Sequence, residues 1–151
     1  MKIGIASDHQ GYKLKTKLIT YLKNKNIEVI DYGTNNEEST DYPDYAFKIG
    51  EEIKNNNISK GILICGSGIG MSIACNKVKG IRCAKVDNVE EAYMTRKDND
   101  ANVIALSKKV SFWTSKKIIN TFLNTDYANI ERYNRRLDKI KEYENKWVLK
   151  H

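Results

Sequence analysis

The sequence predicts an α/β fold: a three-layer αβα sandwich, Rossmann-like, with a five-stranded parallel sheet and an extended C-terminal helix. Three observations carry this. Short, near-continuous apolar runs alternate with helical patterns along the chain, as expected of strands buried on both faces and joined by helices. The most strand-like run, Gly61-Ile62-Leu63-Ile64-Cys65, passes directly into a glycine-rich turn and then a helix. No internal repeat or low-complexity linker breaks the order over 151 residues, a length that suits a single domain, 1–151.

Lys2 to Ser7 reads as a buried strand, and a helix follows from about Gly11 to Lys25. There Leu14, Leu18 and Leu22 recur every four residues with lysines between them. Asn26 stops that helix, and Glu28 to Asp31 form a second strand. A polar loop, TNNEESTDYPD, carries the only proline, Pro43, before a helix from about Tyr45 to Asn55. The third strand, Gly61 to Cys65, leads into a helix ending near Lys77. Ile81 to Val86 is a fourth strand, Val89 to Lys97 a helix, and Asn102 to Leu106 a fifth strand. Helices from about Ser111 to Leu123 and Ile130 to Trp147 close the chain.

Composition narrows the function. Apolar residues make up 40% of the chain and charged residues 30%, enough to bury a core. No apolar run approaches the roughly 18–20 residues of a membrane helix, and the N-terminal MKIGIASDHQGYK becomes charged too soon for a signal peptide. The expectation is a soluble, cytoplasmic protein without a membrane partner. Three cysteines without CxxC spacing argue against a disulfide scaffold, and two histidines leave too few soft ligands for zinc.

The net charge of +7 is a C-terminal property: residues 1–107 hold 15 basic and 14 acidic side chains, residues 108–151 hold 11 and 5. No nucleic-acid reading motif accompanies this excess, so nucleic acid is not the expected partner. Most of the lysines read as a solvated face. Arg132 and Arg136, at i and i+4 on a helix, can instead aim two forks at one small anion.

Right-handed crossovers place the C-terminal ends of all strands on one rim, where open α/β sheets bind ligands. That rim collects Ser7-Asp8-His9, Cys65 to Gly70, and Asp87. Gly66-Ser67-Gly68-Ile69-Gly70 between strand and helix forms a backbone cradle whose N–H groups can converge on an anion. The phosphate loop GxxxxGK[ST] is absent. The dinucleotide pattern GxGxxG fails at Met71, although Asp87 lies where that pattern wants an acid. Tight packing alone is the plainer reading for Gly70, less so for three glycines at alternate positions. Cys65 ends a strand and faces a helix N-terminus, a place that favours a thiolate; Cys75 and Cys83 read as small buried apolar residues. A Cys65 thiolate is either a nucleophile wanting His9 as its base, or a Brønsted base removing a carbon-bound proton while the amides stabilise an enediolate. The second use accounts better for the glycines.

MKIGIASDHQGYKLK, EVIDYGT, TDYPDYA, GILICGSGIGMSIACNKVKGIR, DNDANVIAL and RYNRR, in this order, resemble the ribose-5-phosphate isomerase B family. That group belongs to the sugar-phosphate isomerases that include the galactose-6-phosphate enzymes. The resemblance covers nearly the whole chain. It implies a homodimeric αβα sandwich without metal or cofactor, interconverting ribose 5-phosphate and ribulose 5-phosphate through a cis-enediolate, and leaves dimer and dimer of dimers both open. It assigns Cys65 as base, Ser67 as proton shuttle or polariser between the two sugar oxygens, and the amides of Gly66, Gly68, Ile69 and Gly70 as anion hole. It implies Asp8 on sugar hydroxyls, His9 toward phosphate, Tyr42 lining the sugar, and Arg132 and Arg136 on phosphate. Asn99 and Lys109 are implied from a partner chain. Plainer readings stand beside these: Asp8 as a helix cap, His9 as a structural imidazole, Ser67 as a small loop residue, Tyr42 as packing beside Pro43, and Arg135 solvated.

Three positions depart from the family pattern. Asp98 stands where the family has the histidine assigned to opening the furanose ring, and an ionised aspartate is a poor acid. Lys109 replaces an arginine and loses its bidentate fork. Tyr133 replaces a histidine between the phosphate arginines. Asp98 therefore either takes over ring opening with a raised pKa, or the chain uses the open-chain sugar, or its substrate differs. The rival readings are an isomerase of a six-carbon phosphosugar, such as galactose or allose 6-phosphate, and a catalytically silent sugar-phosphate or nucleotide binder.

Overall fold

The structure, a computed structural model, describes residues 1–149. Strands β1 (Lys2–Ser7), β2 (Glu28–Asp31), β3 (Lys60–Cys65), β4 (Cys83–Lys85) and β5 (Val103–Ser107) pair in parallel in the order β2-β1-β3-β5-β4. The helices are α1 (Tyr12–Asn24), α2 (Tyr42–Lys54), α3 (Ile69–Cys75), α4 (Val89–Asn99), α5 (Phe112–Asn124) and α6 (Glu131–Leu149). This is the expected αβα sandwich with a long last helix.

Strand alternation builds the two cores. Ile3, Ile5, Ile62, Ile64, Ile104 and Leu106 face the side covered by Leu14, Leu18 and Leu22 of α1 and Ile118, Ile119 and Phe122 of α5. Their neighbours Ala6, Leu63, Cys65, Val103 and Ala105 face the opposite side, against Ile49 of α2 and Met71, Ala74 and Cys75 of α3. Because successive side chains point to opposite faces, Cys65 projects toward α3, the helix that starts four residues after it.

Several boundaries differ from the sequence expectation. The second helix begins at Tyr42, not Tyr45, with Pro43 inside its first turn; proline's fixed φ suits that turn, where its missing N–H costs nothing. α3 ends at Cys75 rather than near Lys77, and β4 keeps only the residues that pair with β5. Gly11 belongs to a 3-10 turn, His9–Gly11, ahead of α1. As expected, Asn26 ends the first helical region, with φ of 60°, a conformation asparagine tolerates.

One buried charge fastens this frame. Lys15 on α1 is 1% exposed, and its Nζ donates to Asp31 Oδ1 at 2.6 Å and to the Thr34 carbonyl at 2.7 Å. It thereby ties α1 to the end of β2 and to the loop that follows. Replacing Lys15 by Met keeps the volume and removes both charge-assisted bonds. Asp31 is 40% exposed and stays hydrated, so the expected loss is about 1–3 kcal/mol, read from the urea midpoint.

Candidate active site

The turn after β3 is a tight, internally bonded loop. Gly68 takes φ of +79°, a conformation that costs a residue with a Cβ about 1–2 kcal/mol. This orientation lets the Gly68 N–H donate to Cys65 Sγ at 3.2 Å. The Ile69 N–H donates to Ser67 Oγ, also at 3.2 Å. Two of the expected anion-binding amides thus bond to the chain's own sulfur and hydroxyl, while those of Gly66 and Gly70 take no part in either bond. Cys65 is 5% exposed and sits under the turn at the end of its strand. An amide donor on sulfur is the contact that a negative sulfur strengthens.

Neighbouring strands hold the turn. Ser107 Oγ, at the end of β5, donates to the Gly66 carbonyl at 2.8 Å, and the Lys108 N–H donates to the Cys65 carbonyl at 2.9 Å. Tyr42, 39% exposed, lies over Gly70: a Cβ there would stand 2.5 Å from the tyrosine ring. The cradle glycine and the tyrosine therefore touch, which the sequence could not show.

Asp8 and His9 follow β1 on the same rim. Asp8 Oδ1 accepts the N–H groups of Gln10 and Gly11 at 3.0 and 3.1 Å, so the helix-cap reading holds for this oxygen. Its second oxygen takes no part in the cap. His9 Nδ1 accepts the Thr40 N–H at 3.2 Å, which leaves the proton of the neutral ring on Nε2. A cavity of about 370 Å³ lined by His9, Gln10, Lys13, Leu14, Glu37 and Lys108 opens here, and the Lys108 ammonium bonds to Gln10 Oε1.

The remaining candidates lie elsewhere. In a parallel sheet every helix that follows a strand starts at one edge and ends at the other. Asp98 and Asn99 close α4 at the edge opposite Cys65, and the eleven residues of that helix span roughly 15 Å. Arg132, on the first turn of α6, joins them: its Nη2 lies 3.3 Å from the Tyr133 hydroxyl, which Lys97 Nζ approaches at 3.5 Å. Arg136 follows one turn later, exposed. Lys109, by contrast, follows β5 on the Cys65 rim, its N–H donating to Ser107 Oγ. The sequence reading grouped Arg132 and Arg136 with Cys65 and took Lys109 from a partner chain. Within one chain, strand direction puts Lys109 on the Cys65 rim and Arg132 at the far edge with Asp98. Arg135 pairs with Glu131 at 2.8 Å on the exposed surface, as expected.

Asp98 departs from one expectation. Lys97 Nζ lies 2.9 Å from its Oδ1. The hydrogen bond from Lys97 holds the carboxyl below the ordinary aspartate range, with help from Tyr133 and the Arg132 charge and against partial burial. On balance the surroundings of Asp98 in this chain lower its pKa rather than raise it. Asp87, the other acid of the predicted rim, pairs with Lys85 at 2.6 Å. Sequence reasoning missed Thr40, Lys85 and Ser107. Ser107 and Lys85 were readable as strand ends on the rim, whereas Thr40 lies in a loop without periodicity. Among the described residues no cluster of three or more His, Cys, Asp or Glu side chains is placed to hold a metal, and no helix is long and apolar enough to cross a membrane.

A strand-end cysteine inside a glycine turn, at the carboxyl-end rim of a parallel αβα sandwich, stands where α/β enzymes of this architecture bind small substrates. The profile of the Ribose/Galactose Isomerase family matches residues 3–140, and the chain belongs to that family. It is similar to the solved ribose-5-phosphate isomerase B of Clostridium thermocellum, at 45% identity and a TM-score of 0.94, covering 97% of this chain and 99% of that one. A second similar structure, ribose-5-phosphate isomerase B from Mycoplasma genitalium with bound ribulose-5-phosphate, is 40% identical with a TM-score of 0.89, covering 95% of this chain and 96% of that one. Among curated relatives, the ribose-5-P isomerase B of Listeria innocua is 41% identical over 147 residues, covering 97% of this chain and 99% of its relative.

Because its folded-state pKa is lowered, Asp98 contributes stability that is fully present above the unfolded value near 3.9 and is lost as pH falls through the folded value. Asp98→Asn is expected to flatten the acid limb of the stability curve below about pH 4, as followed by urea unfolding at several pH values.

Proposed function

We propose that the chain interconverts ribose 5-phosphate and ribulose 5-phosphate, a reaction of the pentose phosphate route, as a homodimer whose two sites are shared. The observation that carries this is Cys65 Sγ, held by the Gly68 amide at 3.2 Å beside Ser67 and under Tyr42. In the open-chain aldose, the Cys65 thiolate takes the proton from C2. The released electron pair forms the C1=C2 bond, and the carbonyl oxygen on C1 becomes the anionic oxygen of a cis-enediolate. Ser67 passes the O2 proton to O1, and the thiol returns its proton to C1, leaving the carbonyl at C2. Atoms and charge balance without a metal or a redox cofactor.

The free oxygen of Asp8 receives a sugar hydroxyl, Tyr42 lines the sugar, and the Nε2–H of His9 and Lys109 take the phosphate from the rim side. Asp98, Asn99, Arg132 and Arg136 complete the pocket from a second copy. Two features support this division. Strand direction keeps both groups apart within one chain, and Ile69 and Ile73, one turn apart on α3 beside the cradle, are 54% and 58% exposed, an apolar pair that a second copy covers. An anionic Asp98 has no proton for the furanose oxygen, so the linear sugar is the form consumed. Three free thiols suit the reducing cytoplasm.

Cys65→Ala should lower kcat for ketose formation by about 10²–10⁴-fold while leaving ribose 5-phosphate binding within a few-fold; full activity in this variant refutes the mechanism. Arg136→Ala should raise KM with a smaller change in kcat, because phosphate anchors ground and transition states alike. Mixing inactive Cys65→Ala with inactive Arg132→Ala under subunit exchange should restore about a quarter of wild-type activity. Half the dimers are then mixed, and each carries one intact site. No recovery would place both residues in the same chain's pocket.

A further inference from the structure

The cavity beside His9 holds a cation that the proposed mechanism does not use. Two lysines follow β5 in sequence. Lys109 takes the family's arginine position, yet the lysine that lines this cavity of about 370 Å³ is Lys108. Its backbone is fastened to the glycine turn, the Lys108 N–H donating to the Cys65 carbonyl at 2.9 Å. Its ammonium donates to Gln10 Oε1, a neutral amide rather than a carboxylate. Gln10 is itself fixed between two parts of the site: its N–H donates to Asp8 Oδ1 at 3.0 Å, and its Cγ stands 3.9 Å from where a Gly66 Cβ would lie. The other charges of the cavity wall are Lys13 and Glu37, which face each other at 3.6 Å and offset one another. Lys108 is therefore the wall's uncompensated positive charge. It stands beside an imidazole whose Nδ1 is occupied by the Thr40 N–H and whose Nε2–H is left to donate.

We propose that Lys108 is a further phosphate-binding residue of the sugar site: its ammonium exchanges the Gln10 carboxamide oxygen for an oxygen of the substrate's phosphate. This rests on the phosphosugar reading above, in which the phosphate lies against His9. A dianionic phosphate is a stronger acceptor for an ammonium than a neutral amide, so the exchange favours the bound phosphate. Gln10 holds the lysine stem at the cavity wall beforehand, which reduces the ordering that binding requires.

Lys108→Met keeps the stem and removes the charge. KM for ribose 5-phosphate should rise about five- to twentyfold, with kcat changed less than about twofold. Calorimetry in the Cys65→Ala background, where no turnover intervenes, should show the same loss of ribose 5-phosphate affinity, and inorganic phosphate should weaken in parallel. Lys108→Arg should return all three quantities to within about threefold of wild type. Lys17→Met removes one exposed positive charge from α1 and should change none of them, which separates a contact from a change in net charge. Unaltered affinity for ribose 5-phosphate in Lys108→Met overturns the proposal, even where inorganic phosphate weakens, since the cavity then takes free phosphate only. An equal loss in Lys17→Met overturns it as well. The binding measurements need no turnover: if wild type fails to isomerise ribose 5-phosphate while Lys108→Met still loses affinity for it, the isomerase reading falls and the phosphate contact stands.

Discussion

Parallel pairing of all five strands governs this molecule. Once each strand runs the same way, every turn that leaves a strand collects at one edge and every helix returns its C-terminal end to the other. Cys65, the amides after it, Asp8, His9 and Lys109 depart from strands; Asp98 and Asn99 close a helix. The two sets of polar groups are therefore separated by the body of the sheet, and no change of side-chain rotamer within one chain joins them. Within one chain, this separation follows from the direction of the backbone alone.

Within the Cys65 rim, the local chemistry is set by small residues doing what larger ones cannot. Gly68 occupies a left-handed conformation that turns its N–H back onto the sulfur, and Gly70 leaves room for the Tyr42 ring. The far edge works by the opposite means. There, charged groups crowd together, and Lys97, Arg132 and Tyr133 keep Asp98 ionised. One edge presents a sulfur and backbone amides, and the other presents a cluster of fixed charges.

Much of this was legible in the sequence, for identifiable reasons. The run from Gly61 to Gly70 announces strand, turn and helix in ten residues, because apolar β-formers and alternate glycines leave few other solutions. The order β2-β1-β3-β5-β4 was not legible, since it depends on which strands pair across long separations. The start of α2 was missed because Pro43 reads equally as loop and as first turn. Resemblance supplied Arg132 and Arg136 as phosphate ligands and Lys109 as a partner-chain residue, but not which edge of the sheet each occupies, which depends on strand direction. An ionised Asp98 was the default reading of the sequence; its neighbour Lys97 holds the carboxyl down, with help from Tyr133 and Arg132, more than thirty residues away along the chain.

Lys15 has a use beyond holding α1 to the loop after β2. Its amine is enclosed, whereas most other lysines of this basic chain lie at the surface. Acylating reagents applied to the native protein should label those and pass over this one until the loop that brings Thr40 to His9 swings away. Its rate of labelling would then serve as a clock for that opening, carried by an atom the chain already possesses.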